Sequence, residues 1–196
     1  INYLKFYMQK KINFIDLGKH PITNNFLNLS KPKNEFFYNL KLIFHSETKL
    51  VSLAKFVSPK KMFNEKYAHR ASASKTMQVA YTKLAKLIKK EHKPKSILEI
   101  GSNDGVFIKH FKDINNLGVE PCKNLALITK KMGIKTYDDF WTYELSKKII
   151  KKHKRFDVIY SANTISHIHN LDETFRAINN SLNDNGIFIL EDPSLF

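Results

Sequence analysis

The stretch Ser96-Ile-Leu-Glu-Ile-Gly-Ser-Asn-Asp-Gly105 decides the fold. A short apolar run, Ile97 to Ile100, breaks into a polar turn bounded by Gly101 and Gly105. Val106, Phe107, Ile108 and Phe111 then follow in a helical pattern. That is strand, tight turn, helix. Nineteen residues after Gly101, Glu120 closes a second short apolar run at 117–119. A carboxylate about 20 residues beyond such a turn is where a Rossmann-type fold hydrogen-bonds ribose hydroxyls. The pattern predicts an adenosyl cofactor on the turn, with Glu120 on its ribose.

Outward from the turn, apolar runs at 97–100, 117–119, 134–137, 156–160 and 186–190 alternate with helical stretches near 105–113, 123–132, 142–153 and 172–182. This alternation predicts a doubly wound α/β fold with a parallel sheet in the order 3-2-1-4-5. Upstream, residues 74–90 read as a helix with Met77, Ala80, Tyr81, Leu84, Leu87 and Ile88 on one face, and Pro94 ends it. Residues 1–58 are rich in Phe, Tyr, Ile and Leu, broken by turn-formers at Gly18, Pro21, Asn24, Asn25, Ser30 and Pro32. The runs 36–44 and 49–56 read as short strands of a small β-rich module. The expected division is a β-rich module at 1–58, a covering segment and linking helix at 59–94, and a cofactor-binding domain at 95–196.

The net charge is +15, from 33 Lys+Arg against 18 Asp+Glu. Much of it is Lys on helix faces, such as Lys147, Lys148, Lys151 and Lys152, scattered and not interleaved with aromatics. That favours a small phosphate-bearing partner over nucleic acid or a membrane. The single cysteine, Cys122, leaves no intrachain disulfide and fits a reducing compartment, so a cytoplasmic protein is expected. No stretch reaches the length of a membrane span, and the start is not a secretory signal.

Glu99-x-Gly101-x-Asn103-x-Gly105 aligns with the E-x-G-x-G-x-G turn of adenosylmethionine-dependent methyltransferases. Asn103 replaces the middle glycine, and Asn tolerates positive φ better than most residues. A dinucleotide G-x-G-x-x-G reading fails, and no G-x-x-x-x-G-K-[ST] loop is present. The third strand ends in Tyr137-Asp-Asp-Phe140-Trp141. The likeness of the turn to those methyltransferases, in which this corner holds the adenine, implies Asp139 and Phe140 as candidates for it; a surface turn with a core aromatic pair weighs equally. Beyond the fourth strand, Asn163 belongs near the methionine part of the cofactor. His167 is a candidate general base, since a histidine pKa lies near working pH. A loop-stabilising histidine is the even alternative.

Several segments match one family in order: Leu17-Gly-x-x-Pro21-x-x-Asn24-x-Phe-Leu27, Leu50-Val51, Tyr67-x-His69-Arg-Ala-Ser-Ala-Ser74, Glu99 to Gly105, Gly118-Val-Glu-Pro121 and Ala162-Asn-x-x-x-His167. The chain resembles the bacterial sugar C-methyltransferases, which carry an N-terminal zinc-binding module before a methyltransferase domain. The resemblance implies S-adenosyl-L-methionine as cofactor. It also implies methyl transfer to a carbon beside the keto group of a nucleotide-linked deoxysugar. The expected activity is that of a methyltransferase acting on a small activated, anionic metabolite in the assembly of a modified cell-surface sugar. By the same resemblance Tyr67 and His69, with Ser72 and Ser74, line the substrate pocket, and His167 does acid–base work. Arg70 beside them is a candidate for a substrate phosphate.

The sequence also departs from that family. Where a Cys pair is expected it has His45-Ser-Glu-Thr48, and the first pair is absent, which argues against zinc. His69 stands where the family has a second tyrosine. The family continues past the fifth strand into a domain with a Tyr-His-Glu-His cluster, so a fragment or a reduced relative is expected. Transfer to oxygen or nitrogen of a phosphate-bearing precursor is the competing chemistry. A non-catalytic cofactor-binding partner is the competing class, and RNA methylation is a third reading suggested by charge alone.

Overall fold

The computed structural model describes residues 11–27 and 35–193. The turn-formers Ser30 and Pro32 and the first residues from Ile1 lie outside them. The chain forms two compact units, divided between Met62 and Phe63.

The first unit is an antiparallel sheet of β1 (Lys11–Pro21), β2 (Phe37–His45) and β3 (Val51–Leu53), in that order, followed by a single helical turn, α1 (Pro59–Met62). β2 and β3 are the runs expected from the sequence. β1 is not, because its register slips twice against β2, between Asn13 and Ile15 and between Asp16 and Lys19. The second slip is a bulge at Gly18, whose φ of +78° suits glycine and whose N–H donates to Asp16 Oδ1 at 2.9 Å. Gly18 is therefore a kink inside a strand and not a turn. The bulges destroy the period-2 pattern by which a strand is recognised.

The second unit holds a five-stranded, wholly parallel sheet ordered β6-β5-β4-β7-β8. The strands are β4 (Ser96–Ile100), β5 (Asn115–Val119), β6 (Thr136–Tyr137), β7 (Phe156–Ala162) and β8 (Leu182–Glu191). In chain order this is 3-2-1-4-5, the α/β arrangement expected. Strand alternation gives each face its own core. Ile97, Val158 and Tyr160 pack with Tyr81, Ala85 and Ile88 of α2 (Lys75–His92). Leu98, Ile100 and Ile159 pack with Leu145 and Ile149 of α4 (Tyr143–His153) and with Ala177 and Ile178 of α5 (Leu171–Ser181). Full burial of such a side chain contributes roughly 1.5–3 kcal/mol.

The helices begin where the sequence supplies acceptors. Ser74 accepts Met77 N–H at 3.3 Å, Thr142 accepts Leu145 N–H at 3.1 Å, and Asn170 accepts Glu173 N–H at 3.1 Å. α3 (Lys123–Lys131) follows Cys122 without a side-chain cap. α2 and α4 end on lysines at positive φ, Lys93 at 44° and Lys154 at 65°. One expected helix is not formed. The stretch 105–113 contains only a 3₁₀ turn, Ile108–Phe111. Gly105 through Ile108 are all buried, so these consecutive apolar residues fill a connection inside the core and do not line one face of a helix.

Candidate active site

The turn after β4 is built from three residues at positive φ: Gly101 at 74°, Asn103 at 47° and Gly105 at 80°. Each is a position where the sequence supplies Gly or Asn. Gly101 N–H donates to Val119 O at 2.8 Å, which ties the turn to the end of β5. Ser102 is buried, and its Oγ lies 2.7 Å from where a Cβ on Gly118 would stand. Small residues are thus required on both sides of this crossing.

Glu120 follows β5 directly, beside the turn. Its Oε2 accepts Asn103 N–H at 2.8 Å and its Oε1 accepts Cys122 N–H at 2.8 Å. Burial pushes its carboxyl above the ordinary value, and the two amides oppose that rise. An ionised carboxylate offers about four lone-pair sites, so Glu120, which holds two amides and the Cys122 thiol, keeps acceptor capacity for a ribose hydroxyl. The left-handed turn presents backbone beside it. These residues fit an adenosyl cofactor. Glu99 lies under the turn, on the α2 side of the sheet. Its Oε2 accepts Ile108 N–H at 3.1 Å, and burial raises its carboxyl well above the usual range. Burial also pushes Tyr81 beside it up to about 12. Tyr160 is raised further by the same cause, and its hydroxyl donates to Glu191 at 3.1 Å.

Two segments converge on the carboxyl edge of the sheet. After β7, Asn163 adopts φ of 50°, and a 3₁₀ turn, Ile165–His167, follows. Asp192, just beyond β8, accepts Ile165 N–H at 3.0 Å and the Ser166 hydroxyl at 2.8 Å, so it fixes the loop that carries His167. From the other side comes the strip before α2. The Phe63 ring lies 5.5 Å from Tyr67 and 5.6 Å from His167, and Tyr67 lies 6.4 Å from His69. Asn124, at the start of α3, donates to Tyr67 O at 2.8 Å. The structure therefore brings Tyr67, His69 and His167 into one aromatic cluster with Phe63. His69, Arg70, Asn163 and His167 are exposed.

Other expected site residues are engaged within the fold. The Ser72 hydroxyl donates to Asp104 Oδ2, and Ser74 Oγ caps α2. Asp139 is exposed and accepts Phe140 N–H at 2.8 Å, while Phe140 is half-buried. Trp141 is buried, and its indole N–H points to Thr174 O of α5 at 3.4 Å, so its role is packing. Sequence reasoning passed over Phe63, Asp104, Asn124 and Asp192. Asp104 alone carried a signal, since it lies inside the glycine turn; the others act through contacts that leave no local pattern.

The first unit does not fit a zinc ion. It has no cysteine. His20 Nε2 is hydrogen-bonded to Leu17 O and His45 Nε2 to Ser52 Oγ, at 2.9 and 2.8 Å. Among the described residues no group of three or more His, Cys, Asp or Glu could hold a metal. No helix among them is long and apolar enough to cross a membrane.

Residues 67–196 match the family described as "Methyltransferase domain", and residues 8–63 match the one described as "Putative zinc binding domain". The C-methyltransferase NovU of Streptomyces niveus is 28% identical over 101 residues, which are 50% of this chain and 24% of that protein. The chain thus spans about a quarter of the curated relative it matches. A SAM-dependent methyltransferase from Archaeoglobus fulgidus superposes with a TM-score of 0.51 at 16% identity, over 60% of this chain and 53% of that one. The plantazolicin methyltransferase BamL, solved in complex with a triazolic desmethylPZN analog and SAH, superposes at 0.49 with 16% identity, over 60% of this chain and 47% of that one. The parallel sheet, its strand order and the matched residues lead to one statement of kinship: the chain belongs to the methyltransferase-domain family, with the Rossmann-like fold of the SAM-dependent class I enzymes.

Proposed function

We propose that the chain forms the cofactor-binding part, and one wall of the acceptor pocket, of a SAM-dependent methyltransferase. Its acceptor is a small, activated, anionic metabolite, a nucleotide-linked sugar or a phosphate-bearing precursor of a cell-surface polysaccharide. The observation that carries this reading is the Phe63 ring set between Tyr67 and His167. It joins the strip before α2 to the loop after β7, at the edge where ligands of such sheets bind. The likeness to NovU, a C-methyltransferase, supports carbon as the first reading of the accepting atom.

The residues that would hold the cofactor are the backbone of Gly101 to Gly105 and the Glu120 carboxylate, with Asn163 at the methionine end and Asp139 and Phe140 near the adenine. Adenosylmethionine, when bound, supplies an electrophilic methyl group. The remaining work falls to the chain. Arg70 offers a planar fork of donors suited to a phosphate. His167 takes the proton from the attacking atom, with Tyr67 and His69 alongside to orient the acceptor. His167 is the favoured base over His69 because its loop directly follows β7 at the ligand-binding edge of the sheet. One base with good positioning suffices for transfer to oxygen or nitrogen, whereas a carbon acceptor also needs its enolate stabilised. That keeps transfer to a heteroatom as the second reading. Incubation with methyl-labelled cofactor and a panel of nucleotide sugars and sugar phosphates tests both readings. Labelled product with any of them is expected. Cofactor binding without transfer to any acceptor would leave a non-catalytic partner in its place.

A further inference from the structure

The turn residues Asn103 and Asp104 send their side chains away from the turn. Asn103 Oδ1 accepts Ala71 N–H at 2.9 Å, and its Nδ2 donates to His69 O at 3.4 Å. Asp104, only 2% exposed, accepts Ser72 N–H at 3.3 Å and the Ser72 hydroxyl. From the opposite side Gln78 of α2 donates to Ser72 O at 2.7 Å. The strip at 69–72 is thus gripped through its backbone by residues of the glycine turn, while the side chains of His69 and Arg70 remain exposed.

The other end of this grip is Glu120, which holds Asn103 by its backbone N–H at 2.8 Å. A relay of two hydrogen bonds therefore runs from the carboxylate expected to take the ribose, through Asn103, to the strip expected to face the acceptor. Conformation alone does not explain Asn103. At φ of 47° a glycine would be less strained. What the amide side chain adds is its bond to Asp104 N–H at 2.9 Å and its two bonds to the strip. Asp104 is shielded from water, so its bonds to Ser72 are costly to break.

We propose that Asn103 and Asp104 are positioning residues that couple occupancy at Glu120 to the ordering of residues 69–72. A ribose hydroxyl on Glu120 shares the carboxylate that anchors Asn103, and a stiffened Asn103 fixes the strip that carries His69 and Arg70. The coupling is reciprocal: an acceptor that settles the strip tightens the cofactor by the same factor. This inference rests on the cofactor reading above.

Amide hydrogen exchange of the full chain, with and without saturating adenosylhomocysteine, tests it, with binding followed by calorimetry. In the wild-type protein the ligand is expected to slow exchange at Ala71 and Ser72 by about tenfold, within the usual range of coupling between sites, as well as slowing 101–105. Asn103→Gly keeps the backbone conformation and removes the relay. At saturating ligand it should retain the slowing at 101–105 and lose it at Ala71, whose N–H Asn103 holds, while Ser72 stays tied to Asp104. Bound ligand with unchanged exchange at Ala71 and Ser72 in the wild type overturns the coupling alone, whether or not the variant folds. Equal slowing at Ala71 in variant and wild type overturns it as well. No heat of binding in the wild type removes the cofactor reading and the coupling with it.

Discussion

A methyl group on Gly101 would collide with the hydroxyl oxygen of Thr164. That hydroxyl donates to Ala162 O at 2.9 Å, so displacing it would break this bond. The turn after β4 and the loop after β7 thus interlock through one absent side chain. Gly101→Ala meets this clash at a φ of 74°. The conformational and overpacking costs together come to about 2–5 kcal/mol. Adding Thr164→Ala should recover part of the loss and leave the conformational share. Unfolding of the wild type, both single variants and the double variant checks this as a cycle; strictly additive losses would show that the two residues are not in contact.

Glu120→Ala removes the acceptor of two backbone amides as well as the expected ribose contact. Each bond to a charged group contributes about 1.5–3 kcal/mol. The variant should bind adenosylhomocysteine at least about tenfold more weakly and unfold at lower temperature. Unchanged affinity by calorimetry would refute the placement of the ribose.

Glu99 binds its proton more tightly in the folded protein than in the unfolded chain, because burial penalises its charge. Folding is therefore favoured most below the ordinary glutamate value of 4.5 and loses stability from this group as pH rises toward the elevated value. Glu99→Gln cannot ionise. Relative to the wild type, it should gain stability as pH increases above about 4.5, read from urea unfolding at a series of pH values. A constant difference across that series contradicts the buried, proton-holding carboxyl.

His167→Asn should keep cofactor affinity and lower turnover by about 10²–10⁴-fold, the usual worth of a positioned base. Near-normal turnover would remove His167 from proton transfer and leave it a loop residue.

Elemental analysis of the purified chain is expected to find no stoichiometric zinc, and a chelator should leave thermal unfolding unchanged. Structural zinc takes four ligands, mostly Cys and His, and His45 is already bonded to Ser52. One zinc per chain would overturn this.

The strand, the turn and Glu120 could be read from the sequence because each is a local signal: an apolar run, residues that tolerate positive φ, a carboxylate at a fixed spacing. Strand order followed from connection rules, and the observed order β6-β5-β4-β7-β8 agrees with them. β1 was hidden because its bulges scramble alternation. The stretch after Gly105 misled because apolar density resembles a helix face when the residues are in fact buried on all sides. The bonds from Asn103 to residues 69 and 71 join positions more than thirty apart. No period or composition encodes such contacts, and the same holds for the grip of Asp192 on the loop of His167. Asp139 and Phe140 are candidates through the likeness to methyltransferases, whose adenine lies at this corner, and in the fold Asp139 holds the Phe140 N–H.

The chain has only 6 glycines in 196 residues, and one effect appears where α4 hands over to β7. Lys154 sits there at φ 65° and ψ −172°, a region that suits glycine and costs other residues of order 1–3 kcal/mol. Glycine would shed that cost and return roughly 0.5–1 kcal/mol to the unfolded chain's entropy. Lys154 precedes β7, at the amino edge of the sheet, opposite the edge that carries the chemistry. Heat tolerance and activity are therefore spatially separable in this protein: thermal robustness can be raised at one end of the strands while the reactive end is left alone.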